Sequence, residues 1–85
     1  MIEKEIVIQD PIGIHARPAA LLVQTLKEFK SDFSLIKGDK KASAKSLIQI
    51  MSLGAKQGDT LKVTAEGEDA EEMMNAFLAF AEKNL

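Results

Sequence analysis

The chain has 85 residues, of which 46% are hydrophobic and 28% are charged, as expected for one globular domain and not for a disordered segment. Eleven Lys and Arg against 13 Asp and Glu give a net charge of −2, which argues against the basic surface that nucleic-acid binding requires. The absence of Cys excludes disulfides, thiolate nucleophiles and Cys-based zinc sites, and the single His excludes a His-rich metal site.

The first third of the chain predicts a strand and a helix. Residues 2–8 are rich in β-branched side chains and predict a strand whose inner face carries Ile2, Ile6 and Ile8. Asp10-Pro11-Ile12-Gly13 breaks this strand. A helix is predicted over 16–28, since Pro18 fits a first helical turn and apolar residues follow at helical spacing: Ala19, Leu22, Val23, Leu26 and Phe29.

The middle of the chain predicts a hairpin followed by a short helix. The hairpin joins strands at 33–37 and 40–44 through a polar turn. Ser46 stands where an N-cap belongs, and Gly54 fits a left-handed C-terminal cap. The helical spacing predicts a buried face formed by Leu47, Ile50 and Met51.

The last third predicts a strand and the strongest helix. Residues 60–65 alternate with period two, which places Leu61, Val63 and Ala65 on the inner face. Asp69 and Glu72 form the acidic variant of a capping box at the start of the helix. Its apolar ladder consists of Ala70, Met73, Met74, Phe77, Leu78 and Ala81.

The resulting order, β-α-β-β-α-β-α, predicts one α+β domain over residues 1–85 with an antiparallel sheet and its helices on one face. No apolar run approaches the roughly 18 residues that a membrane span requires. The alternating charges of residues 1–5 are unlike a secretory signal, so we expect a soluble, intracellular domain. A chain this small has little material for a deep cleft, and function should lie on its surface.

His15 and Arg17 form the strongest candidate site. They stand at the predicted start of a helix, where free N–H groups and the positive dipole end favour phosphate. A neutral imidazole is a nucleophile at neutral pH, and a guanidinium suits phosphate oxygens. The pair could therefore receive a phosphoryl group, whereas a surface His that merely precedes a helix is the alternative interpretation.

Ser46 and its neighbours form a second candidate site. An N-cap role alone explains Ser46, although the same position would favour a phosphoserine, with Lys40, Lys41 and Lys45 adding positive potential. Ile48 falls off the buried helical face and is predicted to be exposed near Ile12, which would give a small docking patch.

Two motifs in this chain resemble those of a known family. Residues 13–19, GIHARPA, resemble the active-site signature of HPr, the histidine-containing phosphocarriers of the bacterial phosphoenolpyruvate:sugar phosphotransferase system. Residues 45–47 and 51–54 resemble the regulatory-serine motif of the same family. The motif spacing, total length and element order also agree, so the resemblance covers essentially the whole chain.

The resemblance implies an open-faced β-sandwich with a four-stranded antiparallel sheet and three helices on one face. It implies that His15 accepts a phosphoryl group on Nδ1 from phospho-enzyme I and passes it to the IIA domains of sugar permeases. Arg17 would stabilise the phosphoryl group, assisted by the amides of Ala16 and Arg17. The chain would then be a cytoplasmic carrier in sugar transport, without turnover, cofactor or metal of its own. It would bind neither nucleic acid nor membrane directly, and we expect a monomer.

Regulation through Ser46 is the second implication. In family members with an HPr kinase/phosphorylase, the matching serine is phosphorylated. The phosphorylated protein can then act as a corepressor for a catabolite-control transcription factor. The apolar patch that partners grip would comprise Ile12, Leu47, Ile48 and Met51. Ile12 departs from the small polar residue common in the family, and the carboxylate of Leu85 could lie near Arg17.

Three alternatives stay open at this point. A nitrogen-type branch of the same system would use the same histidine without feeding a sugar permease. A pure interaction module would work through phosphorylated Ser46 alone. A small RNA-binding domain is disfavoured by the net charge of −2 and by the lack of exposed-aromatic motifs on its strands.

Overall fold

The computed structural model describes residues 1–85 and has the predicted order of four strands and three helices. The strands are β1 (Ile2–Val7), β2 (Asp32–Lys37), β3 (Lys40–Ser43) and β4 (Thr60–Glu66). The helices are α1 (Ala16–Leu26), α2 (Leu47–Ser52) and α3 (Ala70–Asn84). Most ends differ from the prediction by one or two residues, because terminal hydrogen bonds and not side-chain periodicity decide where an element stops.

The four strands form one antiparallel sheet in the order β1-β4-β2-β3. Alternate residues of β4 are completely buried on the helix-covered face, as predicted for Leu61, Val63 and Ala65. The residues between them, such as Thr60 and Lys62, face solvent. The α+β open-faced sandwich is therefore confirmed.

The core lies between this inner face of the sheet and the helices. Phe33 of β2 and Phe77 of α3 are both buried, and their ring centroids lie 4.8 Å apart with the planes tilted by 38°. All predicted ladder positions of α3 are buried or half-buried. Phe80, only 8% exposed, also belongs to the core although the prediction left it out, because it closes the end of the ladder beside Phe77.

The predicted buried face of α2 is wrong in two of its three positions. Ile50 is completely buried, but Leu47 is 39% exposed and Met51 44% exposed. A helix of six residues completes fewer than two turns, so only the middle of its inner side reaches the core. Leu53 and Ala55, directly after the helix, supply the other buried side chains of this segment.

The predicted capping box at the start of α3 is also wrong. Asp69 is the N-cap residue, but its side chain makes no cap hydrogen bond. Its carboxylate instead accepts hydrogen bonds from the N–H groups of Lys30 and Ser31 and from the Ser31 hydroxyl. These bonds, led by the one from the Ser31 hydroxyl, lower the pKa of Asp69 from about 3.8 to about 2. Asp69 thus ties the start of α3 to the segment that follows α1.

The predicted caps of α2 are both present. The Ser46 hydroxyl accepts a hydrogen bond from the Gln49 N–H at 3.3 Å. Gly54 follows the helix with a φ of 65°, the left-handed conformation that a C-terminal cap needs. Because both caps use residues local to the helix, sequence spacing was sufficient to predict them.

Candidate functional site

The N-terminal end of α1 has no side-chain cap. His15 is the N-cap residue in extended conformation, and its side chain makes no capping hydrogen bond. The first helical bond runs from the Ala19 N–H to the His15 carbonyl at 3.0 Å, and Pro18 has no N–H. The N–H groups of Ala16 and Arg17 have no acceptor in the structure. This helix end therefore keeps two free donors and its positive partial charge for an anion.

His15 and Arg17 share one shallow depression of about 320 Å³ at this end of the molecule. The His15 side chain is half-buried and Arg17 is exposed, so both are accessible from solvent. The depression is lined by Asp10, His15, Arg17, Pro18, Leu21, Lys83 and Asn84. A histidine, an arginine and a lysine thus line the same depression.

Asp10, Lys83 and Asn84 are the polar site residues that sequence reasoning missed, and Leu21 is the apolar one. Lys83 and Asn84 end α3, which packs against α1 so that its last turn reaches the first turn of α1. In the sequence, Lys83 is an ordinary cation in the last turn of a helix, a position that the helix dipole favours by itself. Only the packing of α1 against α3 could have assigned it to the site.

The loop before His15 is fixed by main-chain contacts. The Ile14 N–H donates to the Ala55 carbonyl at 3.0 Å, and the Gly13 N–H donates to the Asp10 carbonyl at 2.9 Å. Gly13 is buried with a φ of 83°, and a Cβ at this position would collide with the Ala55 carbonyl oxygen. Glycine is therefore required both by the backbone conformation and by the close approach of the 55–56 segment.

The main-chain oxygen of Leu85 also holds this loop. It accepts a hydrogen bond from the Gln9 N–H and a second one from the Asp10 N–H at 2.9 Å. It forms no ion pair with Arg17, since the two ion pairs of the structure join Lys37 to Asp59 and Lys62 to Glu3. The approach of Leu85 to Arg17 considered from the sequence is thus replaced by a contact with the loop.

Ser46 and the apolar patch lie outside this depression. Ser46 is half-buried at the start of α2 and does not line the depression of His15. Ile12 and Ile48 are 70% and 77% exposed, as expected for docking residues, and the partial exposure of Leu47 and Met51 makes them accessible too. The Lys45 ammonium group keeps its charge and donates a hydrogen bond to the Phe29 carbonyl at 3.0 Å.

Two further observations concern ligands and membranes. No three His, Asp or Glu side chains are grouped so that they could hold a metal ion. None of the helices combines the length and the apolar character needed to cross a bilayer.

Comparison with known proteins gives consistent matches over the whole chain. Residues 2–83 match the family described as the PTS HPr component phosphorylation site. The chain is 43% identical over 81 residues to the phosphocarrier protein HPr of Mycoplasma pneumoniae, covering 94% of this chain and 92% of that protein.

Solved structures agree with the fold. The crystal structure of HPr-C-His from Thermoanaerobacter tengcongensis superposes with a TM-score of 0.92 at 46% identity, covering 99% of this chain and 94% of that one. The crystal structure of Crh, a catabolite repression protein of Bacillus subtilis described as a dimer with a swapped domain, gives a TM-score of 0.78 at 35% identity, covering 100% of this chain and 98% of that one.

Proposed function

The chain belongs to the HPr family, the phosphocarrier proteins of the phosphotransferase system, and from this premise we propose that His15 is its phosphoryl acceptor. Family membership makes the protein a carrier and not an enzyme in its own right. The observation that supports the assignment to His15 is the open start of α1, where His15 and Arg17 line one depression and the N–H groups of Ala16 and Arg17 have no acceptor.

The proposed chemistry consists of two successive phosphoryl transfers, one from phospho-enzyme I to His15 and one from His15 to a IIA domain. The lone pair of His15 Nδ1 attacks the phosphorus of phospho-enzyme I, the N–P bond to His15 forms, and the bond from phosphorus to the donor breaks. The Arg17 side chain and the amides of Ala16 and Arg17 stabilise the charge on the transferring oxygens. Transfer to a IIA domain repeats the step with His15 as the leaving group. Each partner supplies the other half of the transfer site, which suits an acceptor lying in an open depression.

The proposed partners are enzyme I and the IIA domains of sugar permeases in the cytoplasm. The exposed side chains of Ile12, Leu47, Ile48 and Met51 are proposed as the apolar centre of the docking surface. Contacts of this kind are small and reversible, as required of a carrier that must leave each partner. A nitrogen-type branch would use the same site, and the identity of the IIA protein that discharges the carrier distinguishes the two.

The first experiment is intact mass measurement after incubation with phosphoenolpyruvate, Mg²⁺ and purified enzyme I. We expect a gain of one phosphoryl group that acid removes and base does not, which is the behaviour of a phosphohistidine. Because the chain has one His, such a gain assigns the group to His15. The matched control is His15→Ala, which should gain nothing.

A folded sample that gains no mass, beside an enzyme I that charges another carrier, would contradict the proposal. The remaining candidate would then be an interaction module that works through Ser46. In that case His15→Ala would retain its regulatory activity and Ser46→Ala would lose it.

Regulation at Ser46 is the second part of the proposal. A phosphoryl group on the Ser46 hydroxyl would stand at the start of α2, where free N–H groups favour negative charge. It would also add about two negative charges next to Leu47 and Ile48 and repel an acidic partner surface. We expect Ser46→Asp to raise the KM of enzyme I for the carrier and Ser46→Ala to leave it unchanged. An unchanged KM in Ser46→Asp would contradict the regulatory role.

We propose that the working state is a monomer, although the related Crh structure is a domain-swapped dimer. The two edge strands of the sheet discourage pairing with a second copy. The β3 strand has only four residues and begins with two lysines, and charged residues occupy the middle of β1. Light scattering at increasing concentration should give 9.3 kDa throughout, and a mass near twice that value would contradict the proposal.

A further inference from the structure

The segment between α2 and β4 forms the support against which the His15 loop lies. Ala55 accepts the hydrogen bond of the Ile14 N–H at 3.0 Å, and the 55–56 main chain approaches Gly13 so closely that no side chain would fit there. Gln57 adds a bond from its amide group to the Gln9 carbonyl at 3.2 Å. The position of the residues directly before His15 therefore depends on where residues 54–59 stand.

Lys37 holds this supporting segment at both ends. Its ammonium group donates to the Gly54 carbonyl at 3.0 Å and pairs with the Asp59 carboxylate at 3.1 Å. Asp59 in turn accepts a hydrogen bond from the Lys56 N–H at 2.8 Å. Lys37 is the last residue of β2 and belongs to a strand paired with both neighbours, so it links the segment to the rigid sheet.

These contacts form a continuous path from the sheet to the site. It runs from Lys37 to Gly54 and Asp59, along the main chain to Ala55, and across the hydrogen bond to Ile14, the neighbour of His15. We propose that Lys37 is a positioning residue for His15, because its ammonium group fixes the segment that supports the His15 loop. The inference rests on the proposed function of His15, but its structural half is testable without any partner.

The Lys37 side chain lies outside the His15 depression, so its effect on His15 must be transmitted through this path. About a third of the Lys37 and Asp59 side chains is exposed, and solvent screens such a pair. Its loss should therefore loosen the loop locally and leave the core folded. A local effect of this kind is separable from global unfolding by comparing amides of the loop with amides of the sheet.

The experiment uses three full-length variants. Lys37→Met removes the ammonium group and keeps the aliphatic stem, and Lys37→Arg restores a cation that can donate to both acceptors. Lys40→Met is the matched control, because Lys40 faces Lys37 across the hairpin and makes no side-chain hydrogen bond or ion pair. It changes the net charge by the same amount.

The first measurement is amide hydrogen exchange of the isolated protein. We expect the Ile14 N–H to exchange about threefold to tenfold faster in Lys37→Met, with parental rates in Lys37→Arg and Lys40→Met. The Val63 N–H in β4 should keep its rate in all three variants. Unchanged exchange at Ile14, or equal acceleration at Val63, would overturn the proposal.

The second measurement is phosphoryl transfer from phospho-enzyme I. In Lys37→Met we expect kcat to fall about threefold to fivefold while KM stays within twofold of the parent, with recovery in Lys37→Arg. A rise in KM alone would make Lys37 a docking charge and overturn the positioning role. If the parent protein accepts no phosphoryl group, the proposed function is contradicted. If the Ile14 N–H still exchanges faster in Lys37→Met, the structural link between Lys37 and the His15 loop is supported independently.

Discussion

The starts of α1 and α3 lie at opposite ends of the molecule and differ in their hydrogen bonding. Backbone N–H groups stay unpaired at the start of α1, whereas the start of α3 is hydrogen-bonded to a neighbouring segment. At the start of α1 the His15 side chain caps nothing, and the N–H groups of Ala16 and Arg17 remain without acceptors. At the start of α3 the Asp69 carboxylate accepts three hydrogen bonds from Lys30 and Ser31, and the Asp69 N–H donates to the Ser31 hydroxyl. One helix start is left open and the other is saturated.

This difference separates the tasks of the two ends. Unsatisfied donors cost stability, but in the proposed function they prepare the α1 start for the phosphoryl group that a partner brings to His15. The saturated end joins α1 to α3 and stabilises the packing that brings Lys83 to the His15 depression. Substitutions at the α1 start should therefore affect transfer, and substitutions at the α3 start should affect stability.

The largest effect is expected for His15→Ala. Phosphoryl acceptance should disappear, because no other side chain of the depression offers an equivalent nucleophile. The midpoint of thermal unfolding should stay within about 4 °C of the parent, since the imidazole makes no hydrogen bond. Mass spectrometry and calorimetry test the two halves. Loss of the fold in this variant would mean that His15 stabilises the structure. The proposed difference between the two helix starts would then be contradicted.

Arg17→Ala should slow transfer from phospho-enzyme I by about tenfold or more, because in the proposed mechanism the guanidinium stabilises charge on the transferring oxygens. Rapid-quench measurements should place the loss in kcat rather than in KM. An unchanged rate would remove Arg17 from the mechanism.

Ser31→Ala tests the saturated end. Ser31 is 2% exposed, and its hydroxyl both donates to and accepts from Asp69, so its removal leaves two polar groups short of a partner. We expect the unfolding midpoint to fall by roughly 5–10 °C. Ser34→Ala is the control, since the Ser34 side chain makes no hydrogen bond. A slower transfer rate at a temperature where the variant is fully folded would show that the two ends are coupled.

The pKa of Asp69 makes the same end sensitive to acid. Because folding lowers this pKa from about 3.8 to about 2, the carboxylate stabilises the fold above pH 4. That contribution is lost as the pH falls from about 4 through 2. Asp59, whose pKa is lowered chiefly by the Lys56 N–H, contributes with the same sign. Urea titrations across this range should show a flatter pH dependence in Asp69→Asn, and an unchanged slope would contradict the assignment.

The smallest effect is expected for Lys83→Met. An exposed ammonium beside the depression should speed transfer of an anionic group about twofold to threefold at low salt, and the difference should shrink at high salt. Lys4→Met is a control with the same charge change on a distant strand. An equal loss of transfer rate in both variants would show that Lys83 acts only through the net charge of the protein.

The contrast between the two ends also explains what the sequence could predict. Element order, the sheet face and the caps of α2 depend on local spacing, and all of these predictions are confirmed. Asp69 was misread because its partner, Ser31, is 38 residues away, and a local capping box looks the same in the sequence. Leu47 and Met51 were misread because periodicity gives the direction of a side chain but not how far the neighbouring layer extends.

The site was predictable only in part for the same reason. His15 and Arg17 stand in one motif, whose likeness to the HPr signature placed them together before the structure did. Lys83 joins them through the docking of α3, a tertiary event without local signature, whereas Asp10 joins them through the turn of the loop before His15. Lys37 was even harder to predict as part of the site, because it acts through its contacts with Gly54 and Asp59, which follow α2, and not through a contact with His15.

The strand order has a consequence for how the chain folds. The β1 strand is synthesised before the other strands of the sheet, yet its only neighbour is β4, and the pairs Ile2–Ala65 and Val7–Thr60 close the longest loops of the sheet. The β2–β3 hairpin, in contrast, closes over two residues. Local contacts form early and distant ones late, so the first strand must wait unpaired on the ribosome until most of the chain has emerged. Its three central charges, Glu3, Lys4 and Glu5, keep that waiting strand from pairing with the wrong neighbour.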